Sequence, residues 1–225
     1  MKRQGLPAEI ERSSMEIIQA ELRERGICLP EKEAPVILRC IHASADFDYA
    51  ETLYFSEEAV ERGITALQSG ISIVTDTNMA LAGLSRPGMQ KLGCKAYCFM
   101  ADPQIAELAG ANGTTRAAAS MDYAAQQYPG AILAVGNAPT ALFRIAEKME
   151  TGLRPAMIIG VPVGFVNVEE SKKQLVEVCK RFGTPVIAAM GRKGGSSIAA
   201  AICNALIYLA ADLLDPEKRG GSGTS

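Results

Sequence analysis

Five times between residues 71 and 189 a short, largely apolar run gives way to a turn of small or polar residues and then to a helical pattern. The runs are Ile71–Val74, Lys95–Met100, Ala131–Val135, Ala156–Ile159 and Pro185–Ala189. Strands that carry apolar residues on both faces must be covered on both faces, and when they alternate with helices the solution is a parallel sheet between helical layers, joined by right-handed crossovers. The expected fold class is therefore α/β, a doubly wound parallel sheet of about five strands flanked by helices. Ligands of such sheets sit beyond the carboxyl ends of the strands. That rule gathers the turns 75–78, 136–140, 162–165 and 191–196 on one rim.

An N-terminal helical segment precedes the sheet. Pro7 to Arg25 places Ile10, Ile17, Ile18 and Leu22 among charges, an amphipathic helix that contains Ser14 and stops at Gly26. Pro35 suits the first turn of a second helix, in which Arg39 and His42 lie three apart on one face. Ser56, followed by Glu57 and Glu58, is expected to begin a third that runs to about Gln68. The final Gly-Gly-Ser-Gly-Thr-Ser, residues 220–225, reads as a flexible tail and leaves residues 1–219 as a single domain. With 48% of its residues apolar, such a chain can bury a sizeable core.

Composition removes several function classes. A formal charge of −2, no tryptophan and no basic run argue against a nucleic-acid surface, so an anionic ligand must be met by a few placed cations. Six scattered cysteines match no paired zinc spacing and read as reduced core thiols, with no metal site. Residues 194–211 carry no charge over nearly a bilayer's length, yet Ser196, Ser197 and Asn204 interrupt them, and their alanines suit a core or a subunit interface better than lipid. No membrane span is expected. The polar first residues show no signal-peptide pattern, which makes the cytoplasm the expected location. Neither GxxxxGK[ST] nor GxGxxG follows any strand, so nucleotide binding by the usual loops is not supported.

The chemistry-bearing candidates are few. His42 is the only histidine and the first choice for proton transfer near neutral pH; its other reading is a helix-end residue that happens to be alone. Gly191–Ser196 joins Arg192 and Lys193 to the amides of a helix N-terminus, a place for a carboxylate or phosphate, or else a plain strand-to-helix turn. Arg116 opens another helix after Asn112-Gly113-Thr114-Thr115, and Asn137 and Thr140 occupy the third strand's turn; caps and turns would also account for them. Met79, Pro139, Val163 and Phe165 are candidates for an apolar cleft, with rim packing as the alternative.

Together these stretches resemble the precorrin-8 methylmutases of cobalamin biosynthesis. The resemblance rests on Arg39-x-x-His42 with Asp46-Phe47-Asp48-Tyr49, Thr75-Asp76-Thr77-x-Met79-Ala80 and Gly136-Asn137-Ala138-Pro139-Thr140-Ala141-Leu142-Phe143. It continues through Gly160-x-Pro162-Val163-Gly164-Phe165-Val166 with Glu170-Ser171-Lys172 to Gly191-Arg192-Lys193-Gly194-Gly195-Ser196, in order from about Ile10 to Tyr208. Ala43 departs from it, since a hydroxyl residue is common there, and that position is assigned no role.

The resemblance implies an isomerase that moves a methyl group from carbon 11 to carbon 12 of a corrin precursor, with no cofactor and any cobalt carried by the substrate. It implies His42 as proton donor or acceptor, substrate contacts from Ser14 and Arg39, and a homodimer with shared sites. The substrate's acetate and propionate arms would suit Arg39, Arg116, Lys193 and the amides of Gly194 and Gly195, with Asn137 and Ser196 on the same rim. Arg39 beside His42 should lower the imidazole's pKa until a substrate carboxylate neutralises the guanidinium. Asp46-Phe47-Asp48-Tyr49 looks more like the branch that uses cobalt-precorrin-8 than the metal-free one. A non-catalytic corrinoid carrier of the same fold is the alternative, and an oxidoreductase is disfavoured by the missing dinucleotide loop.

Overall fold

The structure is a computed structural model that describes residues 6–219; the expected tail at 220–225 lies outside them. Helices α1 (Pro7–Glu24), α2 (Ala34–Ser44) and the single turn α3 (Tyr49–Thr52) lead into strand β1 (Leu53–Phe55) and helix α4 (Ala59–Gln68). The alternating part runs β2 (Ile73–Thr75), α5 (Asn78–Ala82), α6 (Arg86–Leu92), β3 (Ala96–Tyr97), α7 (Pro103–Ala111), α8 (Arg116–Gln127), β4 (Ile132–Val135), α9 (Pro139–Glu150), β5 (Met157–Gly160), α10 (Val168–Phe182), β6 (Val186–Ala189) and α11 (Ser196–Ala210). A 3₁₀ turn at Pro216–Arg219 closes the described chain.

The sheet order is β1-β6-β5-β4-β2-β3. The five parallel strands lie on the five apolar runs of the sequence, trimmed at their ends except that β2 and β5 run one residue further, to Thr75 and Gly160, so the α/β expectation holds. A sixth strand was not expected. β1 adds to the β6 edge in antiparallel sense, pairing Leu53 with Ala189 and Phe55 with Ile187. Ser56 consequently does not cap α4: its amide donates to the Val186 carbonyl at 3.0 Å and its hydroxyl accepts from the Val186 amide at 2.9 Å, which prolongs the strand pairing. α4 starts three residues later, after Glu58 in a left-handed conformation.

Alternation along each strand sorts the side chains into two cores. Ile73, Ile132, Ala134, Met157, Ile159, Ile187 and Ala189 face the layer built from α1, α2, α4, α5, α6 and α11. Val74, Leu133, Val135, Ile158, Val186 and Ala188 face α8, α9 and α10. The uncharged stretch after Gly194 becomes α11, whose Ile198–Cys203 and Ala205–Ile207 are all buried inside the chain. Its alanines thus serve close packing against α2 and α4 rather than an outer interface. Among the described residues no helix is long and apolar enough to cross a membrane. All six cysteines are unpaired, but only Cys40, Cys94, Cys179 and Cys203 are core thiols; Cys28 is exposed and Cys98 half-buried.

Candidate active site

Counting only the parallel strands, the first and third (β2 and β4) are neighbours at the point where strand order reverses, the place where such sheets usually open a ligand crevice. Here an acid fills it. Asp76 directly follows β2 and is 1% exposed; Oδ1 accepts from the Gly136 amide at 2.8 Å, and Oδ2 from Asn137 at 2.8 Å and Ala138 at 2.9 Å. Burial pushes this carboxyl above the ordinary aspartate value while the three amides pull it back. These donors, at the N-terminus of α9, would otherwise be free for a phosphate.

The neighbouring turns are stitched to this one. Thr77 and Ser196 hydroxyls meet at 2.8 Å, and Thr115 and Thr140 hydroxyls at 2.8 Å. A Cβ on Gly136 would lie 2.7 Å from the Ser196 Cα and 3.0 Å from the Gly195 oxygen, so only glycine lets these backbones touch. The Gly195 amide donates to the Val161 carbonyl at 2.8 Å and the Gly164 amide to Arg192 at 3.2 Å. Gly194, with φ of +154°, leaves no room for a side chain over Val161. The four turns read from the sequence therefore do form one rim. It carries Arg116 and Asn137, both exposed, and neither side chain has an ion-pair or hydrogen-bond partner among the described residues. Val163, Phe165 and Met79 are 47%, 84% and 72% exposed, unlike packed rim residues.

Ser14, Arg39 and His42 belong to a second cluster, on the seam of α1 and α2. Ser14 bonds back to the Ile10 carbonyl at 2.8 Å, one turn along from Glu11, which accepts Arg39 at 2.8 Å. Glu11 also accepts Arg219 through both oxygens, at 2.7 and 2.8 Å, and both guanidiniums lie over the Tyr208 ring, at 5.2 Å and 4.0 Å from its centroid. Burial works to raise Glu11, but the two arginines outweigh it and hold the carboxyl below its ordinary value. A cleft of about 370 Å³ lies alongside, lined by Glu11, Met15, Leu38, Arg39 and Leu214 among others.

His42 is exposed in the last turn of α2. Its pKa lies below the usual 6.5, first because of burial of part of the ring, then because of Arg39, with Glu11 opposing and Arg219 adding. The shift favours the neutral imidazole, the form that accepts a proton. Four residues on, Asp46 receives Lys193 at 2.6 Å, and Asp48 receives it at 2.5 Å. These bonds raise the lysine's pKa and lower that of Asp46. They also join the α2 cluster to the rim. Among the described residues no group of three or more histidine, cysteine, aspartate or glutamate side chains is placed to hold a metal ion.

Five expected contacts are already engaged: Ser14 by the Ile10 carbonyl, Arg39 by Glu11, Ser196 by Thr77, Lys193 by the two aspartates and the Gly195 amide by Val161. The structure adds Glu11, Asp76, Lys172 and Arg219 to the residues that shape the site. Asp76 left a trace in the sequence as an acid straight after an apolar strand, and Lys172 as a charge inside the apolar stripe Val168, Leu175, Cys179 of α10. Arg219 left none, since it meets Glu11 across 208 positions.

A precorrin-8X methylmutase family model matches residues 9–209. The cobalt-precorrin-8 methylmutase of Leptospira interrogans is 41% identical over 91% of this chain and 94% of its own, and that of Salmonella typhimurium 42% over 90% and 95%. A solved structure described as precorrin-8x methyl mutase from Thermus thermophilus superposes with a TM-score of 0.80 at 40% identity, covering 90% of this chain and 98% of that one. With the matched span holding Glu11, Ser14, Arg39, His42, the rim turns and all five parallel strands, the chain belongs to the precorrin-8X methylmutase family.

Proposed function

We propose that the chain is the isomerase its relatives are named for, moving a methyl group from carbon 11 to carbon 12 of a precorrin-8 macrocycle during cobalamin biosynthesis. The observation that carries this is the chain's only imidazole, exposed in the last turn of α2 one turn from Arg39, which shares Glu11 with Arg219, while Asp46 four residues on reaches Lys193 of the rim. A polycarboxylate ring suits that surround, because its arms can replace Glu11 and the two aspartates as partners for these cations. Carboxylates near Arg39 and Arg219 would raise the His42 pKa, and the residue would then return to the macrocycle the proton it has taken. Proton movement of this kind sets the double-bond arrangement that a methyl shift requires.

Ser14 and Arg39 contact the substrate from the α1–α2 seam; Arg116, Asn137, Lys193, Gly194 and Ser196 meet its arms at the rim. Gly195 holds the turn's shape, its amide being occupied. The reaction needs no separate cofactor or methyl donor, and cobalt, when present, enters inside the substrate. The cobalt-precorrin-8 branch is favoured by the Asp46–Tyr49 run and by the names of the two relatives. Exposed Met79, Val163, Phe165 and Val166 offer apolar surface to the flat ring or to a second subunit of a cytoplasmic homodimer.

Wild type and His42→Ala, each mixed with cobalt-precorrin-8 and with the metal-free compound, test the reading through the visible spectrum of the corrin product. Conversion by wild type, and binding without conversion by His42→Ala, is the expected result; the preferred substrate names the branch. Binding without conversion by both proteins would make the chain a carrier, and full turnover by His42→Ala would make the histidine structural.

A further inference from the structure

Lys172 is the largest fully buried side chain, at 0% exposure, and no carboxylate lies within ion-pair distance of it among the described residues. Glu169, one turn earlier, acts on it only at longer range. The ammonium instead donates to the carbonyls of Gly191 and Lys193, both at 2.8 Å. Between them the Arg192 carbonyl accepts from Gly164 at 3.2 Å. Three successive carbonyls of the rim turn are thus drawn toward the protein. The amides of Arg192, Lys193 and Gly194 have no protein acceptor among the described residues. A buried cation facing only neutral acceptors is costly, and a methionine of similar length would fill the same space without that cost. Burial brings the lysine down to about 8, which still leaves it charged at pH 7.

We propose that Lys172 is a positioning residue for the anion-binding turn: it pins the carbonyls of Gly191 and Lys193 inward, so that the amides of residues 192–194 form a nest for a substrate carboxylate above a buried positive charge. Successive backbone N–H groups over a cation make a strong anion site. The inference rests on the corrinoid reading for its ligand but not for its mechanics.

Two measurements on Lys172→Met, Lys172→Gln and Lys172→Arg separate those parts. In the free protein, amide hydrogen exchange at Gly164 and Gly195, the bonded amides that tie the turn to Arg192 and Val161, should quicken in the methionine and glutamine variants and stay near wild type in the arginine one. Unchanged exchange in folded Lys172→Met or Lys172→Gln would overturn the pinning, whatever the corrin does. Cobyrinic acid is then titrated by visible absorbance beside cobinamide, a corrin with amide arms. Both neutral variants should bind the acid about tenfold more weakly, as for loss of one charge-assisted contact, with cobinamide unaffected and arginine restoring most of the affinity. Should Lys172→Met not melt cooperatively, Lys172→Gln and Lys172→Arg still decide. Equal weakening for acid and amide would mean a general packing role and overturn the proposal, as would acid affinities unchanged from wild type. If wild type itself ignores cobyrinic acid, the corrinoid reading fails while the exchange result still judges the pinning.

Discussion

His42 can be followed alone, since no other histidine contributes a ring signal. An NMR titration should place its midpoint below 6.5, and Glu11→Gln should lower it further, because the glutamate opposes the other influences. The sign for stability follows: a depressed histidine contributes stability that is present above pH 6.5 and is lost as pH falls through the folded value. Asp76 offers a second test at this scale. Asp76→Asn replaces one acceptor oxygen by a donor, leaves buried amides of the Gly136–Ala138 turn unsatisfied and should cost about 2–3 kcal/mol in urea unfolding. An unchanged midpoint would mean the turn holds itself. Residue types and their order were legible in the chain, so His42, Arg39 and the glycine turn could be picked out. Their partners were not: Glu11 with Arg219, and Lys193 with Asp46, are matched by tertiary packing across 208 and 147 positions.

Elements were easier to read than contacts, for a physical reason. A strand buried on both faces advertises itself by continuous apolarity; β4 and β6 fall inside such runs, and β2 and β5 pass the end of theirs by one residue. β1 escaped because it is three residues long, half-buried, and exists only through pairing with β6. Ser56 then misled in the ordinary way, having the right type for a cap but a better partner in Val186. The join between elements is testable at Gly136, where a methyl group would press on the backbone of Gly195 and Ser196 rather than on a movable side chain. Gly136→Ala should destabilise by about 3 kcal/mol, as overpacking against main chain does, and should weaken corrinoid binding as the Ser196 turn shifts. A variant with wild-type melting and binding would show the turns to be independent.

The molecule as a whole has an alkaline weakness. Cys40, Cys179 and Cys203 are buried thiols, the latter two pushed up to about 12, so the unfolded chain releases protons above pH 9 that the folded one retains. Stability therefore falls as pH rises, by about 1.4 kcal/mol per unit for each thiol. Lys172 works the other way between about 8 and 10.5, where its proton is lost more readily from the folded chain. Denaturant titrations at pH 8, 9 and 10 should show a net decline beyond pH 9 that becomes shallower in Cys203→Ala; a slope unchanged by that substitution would place the loss elsewhere.

The acid at the strand-order reversal also bears on how such a fold can be redirected. Doubly wound sheets that take dinucleotides bind the pyrophosphate at a glycine-rich turn before a helix, yet here the donors of the Gly136–Ala138 turn are already assembled and already spent. The protein carries its own tethered surrogate for an anion. Deleting that surrogate with Asp76→Gly, and offering formate, acetate or phosphate from solution, is a chemical-rescue experiment in which the crevice changes from structural filler to receptor, so a new specificity would start from removal rather than addition.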